Sequence, residues 1–335
     1  MLPALARSIF VSVLLCALAI GAEKGPATLR MASSVPWTVP PFQSHGDALC
    51  DADGNLYFDV WSGKPPTVVL KVAHDSSKYE LYGLPPAPAG NDTGRLRYSV
   101  TADGKLRVLG YITPTTMGKL APPGWAYVFT YGSEPNNPSK AQLDLPEQFH
   151  PDYFAAFESG AILLTGYFPE QADKRLRGKI YTAVFQASGK LAAEVTGDYG
   201  KVALATMNRK LREGGIASGD DGFLYVLRSD SVLVVSESGS IVRKLPLKKT
   251  DPEFAATQIY VSGGVVVVGL AKGEGLGKPV RDQFLAMNAS TGERMGPYEP
   301  EPALGNNAVC FSRDEGLTFW TVKDGKDVLA VAPLR

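Results

Sequence analysis

Ala48-Leu49-Cys50-Asp51-Ala52-Asp53-Gly54-Asn55-Leu56-Tyr57-Phe58 reads as a short apolar run, a glycine-centred tight turn and a second apolar run. The phrase returns at Tyr98-Ser99-Val100-Thr101-Ala102-Asp103-Gly104-Lys105-Leu106-Arg107-Val108, and weaker copies centre on Gly160, Gly222, Gly264 and Gly316. Successive turn glycines lie 50, 56, 62, 42 and 52 residues apart. A period near roughly fifty residues with one hairpin per unit predicts an all-β chain folded as a β-propeller.

Each unit reads as four antiparallel strands, two flanking the glycine turn and two after an intervening loop. The fourth unit shows this most clearly. Gly215-Ile216-Ala217-Ser218 and Phe223-Leu224-Tyr225-Val226-Leu227 flank Asp221-Gly222, and Ser231 to Ser236 and Ile241 to Leu245 flank Ser238-Gly239. β-Branched runs between Asp, Gly and Ser turns argue strands, and only Tyr199 to Leu211 has room for a short helix. The sixth unit ends after Val328 to Ala332 without a fourth strand. A spare strand candidate lies at the other end, around Thr28 to Ala32. The expectation is a six-bladed propeller whose last blade is completed by an N-terminal strand, which removes an exposed sheet edge. A seventh unit has room to hide only in the 62-residue interval before Gly222.

Residues 1–22 read as an export signal: Arg7, an apolar run from Ile9 to Ile20, then Gly21 and Ala22. Acylation at Cys16 is disfavoured because Leu15 stands where a small residue is needed. Residues 23–335 then form a single propeller domain, expected to be a secreted or periplasmic monomer with no membrane span. Removing Arg7 leaves 33 basic residues against 34 acidic. So balanced a charge carries no footprint for nucleic acid. The remaining cysteines, Cys50 and Cys310, fall in the first strands of units one and six, which become neighbours if the ring closes. They are read either as a disulfide pinning the seam or as two buried thiols.

Three loops between second and third strands look long, at Thr113 to Gly124, Pro169 to Gly178 and Ala271 to Asp282. They open on the face opposite the glycine turns. Trp61, Lys119, Trp125, Lys174, Arg175, Arg177, Lys272 and Arg281 lie on or beside such loops. Long loops on one side of a rigid scaffold are where binding resides. A basic, aromatic-edged mouth fits an acidic glycan, a carboxylate or an acidic protein surface, and solvated insertions explain the same residues.

The phrase from Gly46 to Phe58 and the segment Gly215 to Val226 resemble blades of NHL-repeat proteins and of the gluconolactonase and senescence-marker-protein superfamily. Enzymes of that superfamily bind a divalent metal on the propeller axis through Glu, Asn and Asp. His45 stands where the resemblance would place the Glu and Gly214 where it would place the Asn. The acid-poor Thr257 to Gly264 supplies no Asp. A hard cation needs several oxygen ligands, so neither metal nor other cofactor is expected, with His45 and Asp47 as the weak candidates. Asp51-Ala52-Asp53-Gly54-Asn55 has its glycine fourth, where a calcium loop wants it sixth, and reads as a turn. No Gly-x-Ser-x-Gly elbow and no phosphate-cradling glycine motif occurs. These features lead to an exported, non-catalytic binding or scaffolding propeller for a protein or glycan ligand. A degenerate metal-dependent lactonase-like hydrolase and a structural part of a cell-envelope assembly are the alternatives.

Overall fold

The computed structural model describes residues 25–40, 43–44, 48–61, 68–114, 126–132, 134–147, 149–168, 174–175, 178–196, 215–273 and 280–335. Two N-terminal strands, β1 (Ala27–Leu29) and β2 (Ser33–Pro36), precede the blades. Blade one holds β3 (Gln43–Ser44), β4 (Leu49–Cys50), β5 (Leu56–Trp61), β6 (Val68–Val72) and β7 (Tyr79–Gly83). Blade two holds β8 (Asn91–Val100), β9 (Leu106–Pro114), β10 (Ala126–Thr130) and β11 (Ser139–Gln142). Blade three holds β12 (His150–Ala156), β13 (Ile162–Tyr167), β14 (Ile180–Phe185) and β15 (Leu191–Glu194). Blade four holds β16 (Ile216–Ser218), β17 (Leu224–Leu227), β18 (Ser231–Val235) and β19 (Ile241–Pro246). Blade five holds β20 (Ala255–Ser262), β21 (Val265–Gly273), β22 (Val280–Asn288) and β23 (Arg294–Pro300). Blade six holds β24 (Ala308–Ser312), β25 (Gly316–Lys323) and β26 (Lys326–Ala332), and β2 completes it. The protein is a six-bladed β-propeller of antiparallel blades.

All six turn glycines adopt positive φ, from 72° at Gly264 to 111° at Gly316, a backbone that residues with a Cβ resist. At Gly316 a Cβ would also lie 2.2 Å from the Ala332 carbonyl oxygen. That explains why glycine, rather than apolar content, marks each unit.

Strands buried on both faces read as near-continuous apolar runs. Along β17, Leu224 and Val226 pack toward blade three, whereas Tyr225 and Leu227 pack toward blade five. Each junction between neighbouring blades holds one such core. Burying each of these side chains contributes about 1.5–3 kcal/mol. Polar seals supplement the cores. Tyr57 donates to Gly104 O (3.2 Å) and Tyr98 to Tyr57 O (2.8 Å) between blades one and two. Arg228 Nη2 donates to the paired hydroxyls of Thr165 and Thr182, 3.3 Å each, between blades three and four.

The N-terminal segment closes the ring, but with different residues from those the sequence suggested. Ser33–Pro36 pairs antiparallel with β26, Ser33 opposite Val331 and Pro36 opposite Val328. Ala27–Leu29, which overlaps the expected strand Thr28 to Ala32, instead runs parallel beside β23 as a fifth strand of blade five. Leu29 is buried in the core between blades five and six, so its apolar character serves packing there. Ser-Ser-Val-Pro looks like a loop in isolation, yet proline is tolerated on an edge strand, where no ladder N–H is needed.

Cys50 and Cys310 are joined across the seam, their Cα atoms 5.5 Å apart. They stand 4 and 6 residues before their turn glycines. A bulge in β24 between Ala308 and Cys310 interrupts its register with β25. Trp37 stacks on Trp320 at 5.1 Å, and Phe58 meets both edge-on at 5.7 Å.

Candidate functional site at the propeller axis

The first strand of each blade lines the axis, and in four blades its register breaks at one level. β8 bulges between Arg95 and Arg97, β12 between Pro151 and Tyr153, β20 between Ala256 and Gln258, and β24 between Ala308 and Cys310. The extra residues Leu96, Asp152, Thr257 and Val309 lie 7 or 8 positions before their turn glycines. A bulge re-aims side chains and ends regular pairing, and such features cluster at working sites. Here consecutive residues reach the same space: Leu96 with Arg97, and Thr257 with Gln258.

That space is a cavity of about 200 Å³ in the half of the channel away from the glycine turns. A smaller one of about 60 Å³ lies nearer the turns, against Asp51, Ala102 and Asp220. Both touch Leu49, Ile216, Ile259 and Tyr260, which form an apolar waist between them. The waist is anchored, because Tyr260 donates to Ala308 O at 2.8 Å across the junction with blade six.

Asp59, Arg97, Thr257 and Gln258 bring polar chemistry to the larger cavity. Arg97 donates from Nε to Asp152 O (2.9 Å) and from Nη2 to Asp152 Oδ1 (3.1 Å). Its guanidinium carbon lies 5.4 Å from the centre of the Tyr153 ring. Burial pushes the Asp152 carboxyl above the usual range, with the Arg97 charge opposing. Burial, and then the charge of Asp152, raises the neighbouring Tyr167 hydroxyl, whose ring stacks on His150 at 4.9 Å. At the turn end, Asp51 is satisfied by Asn55 and Tyr57, and Asp220 accepts from Gly263 N. The larger cavity therefore offers a positioned cation, acceptor oxygens and an apolar wall, which suits recognition of a small molecule.

Of the loop residues singled out from the sequence, Trp61, Lys174, Arg175, Lys272 and Arg281 are among the described ones. Lys119, Trp125, Arg177, His45, Asp47 and Gly214 fall outside the described residues, as does Tyr199 to Leu211. Trp61 ends β5. Lys174 and Arg175 are exposed in the connection between β13 and β14. Lys272 and Arg281 are register partners in the β21–β22 ladder, which extends to Gly273 and Val280 and so shortens the expected loop. Lys272 is bonded to Asp251 (2.7 Å) and Glu253 (2.6 Å), carboxylates that push its ammonium further above its ordinary range. Its charge is thus matched within the protein. Among the described residues no three His, Cys, Asp or Glu side chains gather as a metal site. Sequence reasoning missed Arg97, Asp152 and Gln258. The one available hint was a charged residue inside an innermost strand.

No protein-family model matches the chain, and neither does any curated protein. Among solved structures it is similar to the PQQ-bound aldose sugar dehydrogenase of Streptomyces coelicolor. That match has 13% identity and a TM-score of 0.48, covering 93% of this chain and 99% of the other. A gluconolactonase of Xanthomonas campestris matches at 14% identity and a TM-score of 0.45, covering 91% and 99%. A Bacteroides caccae protein of unknown function matches at 13% and 0.44, covering 78% and 83%. The activities of these proteins are their own. What this chain shares with propellers is the architecture of its six closed sheets.

Proposed function

We propose that the chain is an exported, non-catalytic binding propeller that takes its ligand in the larger axial cavity, entered from the face of the long loops. The cavity itself carries this reading: about 200 Å³, walled by re-aimed inner-strand residues from several blades. Export agrees with the apolar leader and with a disulfide, which persists in oxidising compartments. Among the described residues no helix is long and apolar enough to cross a membrane. The exposed Lys174 and Arg175 lie on the same side and would guide an acidic ligand inward.

Ile216→Trp fills the waist and tests the reading. Ligands found in a small-molecule and glycan screen should raise the melting temperature of the wild type and leave this variant unmoved. Equal binding by Ile216→Trp overturns the cavity as the site. Replacing Lys174, Arg175 and Arg177 together with Ala should weaken binding several-fold while leaving thermal unfolding unchanged. Elemental analysis of protein purified without chelator addresses catalysis, since a stoichiometric divalent metal would revive the hydrolase alternative.

A further inference from the structure

Among the described residues, only part of the Arg97 guanidinium is engaged. Nε and Nη2 hold Asp152 along one edge, and Nη1 reaches back to Leu96 O at 3.4 Å. A guanidinium carries five N–H donors in a planar fork. Three are accounted for, and the edge between Nη1 and Nη2 keeps two parallel donors. That spacing matches the two oxygens of one carboxylate. The side chain is half exposed and lines the cavity. Asp152 and the Tyr153 ring fix its plane in advance, so little ordering remains to be done when a ligand arrives.

We infer that the axial cavity takes a small organic carboxylate, its oxygens on the Nη1–Nη2 edge of Arg97 and its apolar body against Leu49, Ile216 and Ile259. The inference rests on the cavity being the binding site and adds the class of ligand. An apolar cavity of about 150 Å³ holds benzene. The 200 Å³ here therefore suits a ring of that size with a short acid arm. Inorganic phosphate would satisfy the fork but leave the apolar wall unfilled.

Calorimetry with phenylacetate, its neutral amide phenylacetamide and inorganic phosphate tests this on the full chain. Phenylacetate should bind at least tenfold more tightly than the amide or phosphate. Arg97→Lys keeps a cation beside Asp152, and with it the fold, but lacks the two-donor edge. It should lose about tenfold for phenylacetate and nothing for the amide, and Arg97→Met should bring acid and amide level. The inference is overturned if acid and amide bind equally, if Arg97→Lys leaves their ratio unchanged, if phosphate matches phenylacetate, or if no probe binds. The amide bound by wild type and lost in Ile216→Trp would leave the cavity standing as the site while the carboxylate fails. Probes bound equally by wild type and Ile216→Trp would sink both.

Discussion

Blade four and blade six share one architecture, yet the chain assembles them in opposite ways. Blade four is a single continuous segment whose last pairing sets Ser231 beside Pro246. Blade six takes three strands from residues 308–332 and its fourth from Ser33–Pro36, so Ser33 must find Val331 from the far end of the chain. The entropy of closing a loop grows with the logarithm of its length, and the longer closure costs about 2–3 kcal/mol more. Blade four closes on side chains alone: Val232, Val234 and Val235 are fully buried and Arg228 ties it to blade three. The seam beside blade six adds a disulfide and a three-ring aromatic cluster. Local sequence is sufficient where strands are neighbours in the chain. Where they are not, stronger fastenings appear.

The largest expected effect comes from cutting the covalent fastening. Cys50→Ala with Cys310→Ala should cost about 3–5 kcal/mol in urea unfolding, because the bond closes a long loop of the unfolded chain. Amide exchange should accelerate in β26 well before β17. Equal acceleration in both would break the contrast between the blades. Trp320→Ala, which empties the ring stack on Trp37 and Phe58, should cost about 2–4 kcal/mol and loosen the same strand.

The counterpart at blade four is smaller. Arg228→Met removes donors to the buried pair Thr165 and Thr182 and should cost about 1–2 kcal/mol in the same measurement. A loss larger than that of Trp320→Ala would reverse the ranking of the two junctions.

Asp282, in the part of β22 that faces blade six, sharpens the comparison through pH. Burial pushes its carboxyl up to about 6, with a hydrogen bond from Asn306 opposing. The folded protein therefore favours the protonated form. Stability from this group is complete below the unfolded value near 4, declines as pH rises toward 6, and stays reduced above that. Asp282→Asn should accordingly stabilise the protein at pH 7 by about 1 kcal/mol, a figure discounted because the group is only half buried. It should change nothing at pH 4. A melting-temperature difference that does not vary with pH would remove Asp282 as its cause.

Repetition made the ring legible: Gly54, Gly104, Gly160, Gly222, Gly264 and Gly316 are demanded by backbone geometry, which leaves a mark in residue type. The closing strand was legible as a need but not as residues. In sequence the spare strand reads as Thr28 to Ala32, while the pairing that completes blade six uses Ser33–Pro36. The axial site was less legible still. Leu96, Asp152, Thr257 and Val309 bulge at one height, yet they share no side-chain chemistry. Depth along the axis is set by pairing partners, which a linear reading does not contain. Loop lysines are visible in sequence through their charge, whereas the ion pairs of Lys272 with Asp251 and Glu253 are visible only in the fold.

The bond between Cys50 and Cys310 also changes how the last strand reaches its place. Once those sulfurs are joined, Ser33 no longer searches for Val331 along the whole polypeptide. It is tethered through two short arms, Ser33 to Cys50 and Cys310 to Val331, about 40 residues in all, and the closure penalty falls by about 2 kcal/mol. Oxidation ahead of perimeter docking would thus act as a guide for assembly, and the timing of thiol chemistry relative to folding would govern the yield of closed rings.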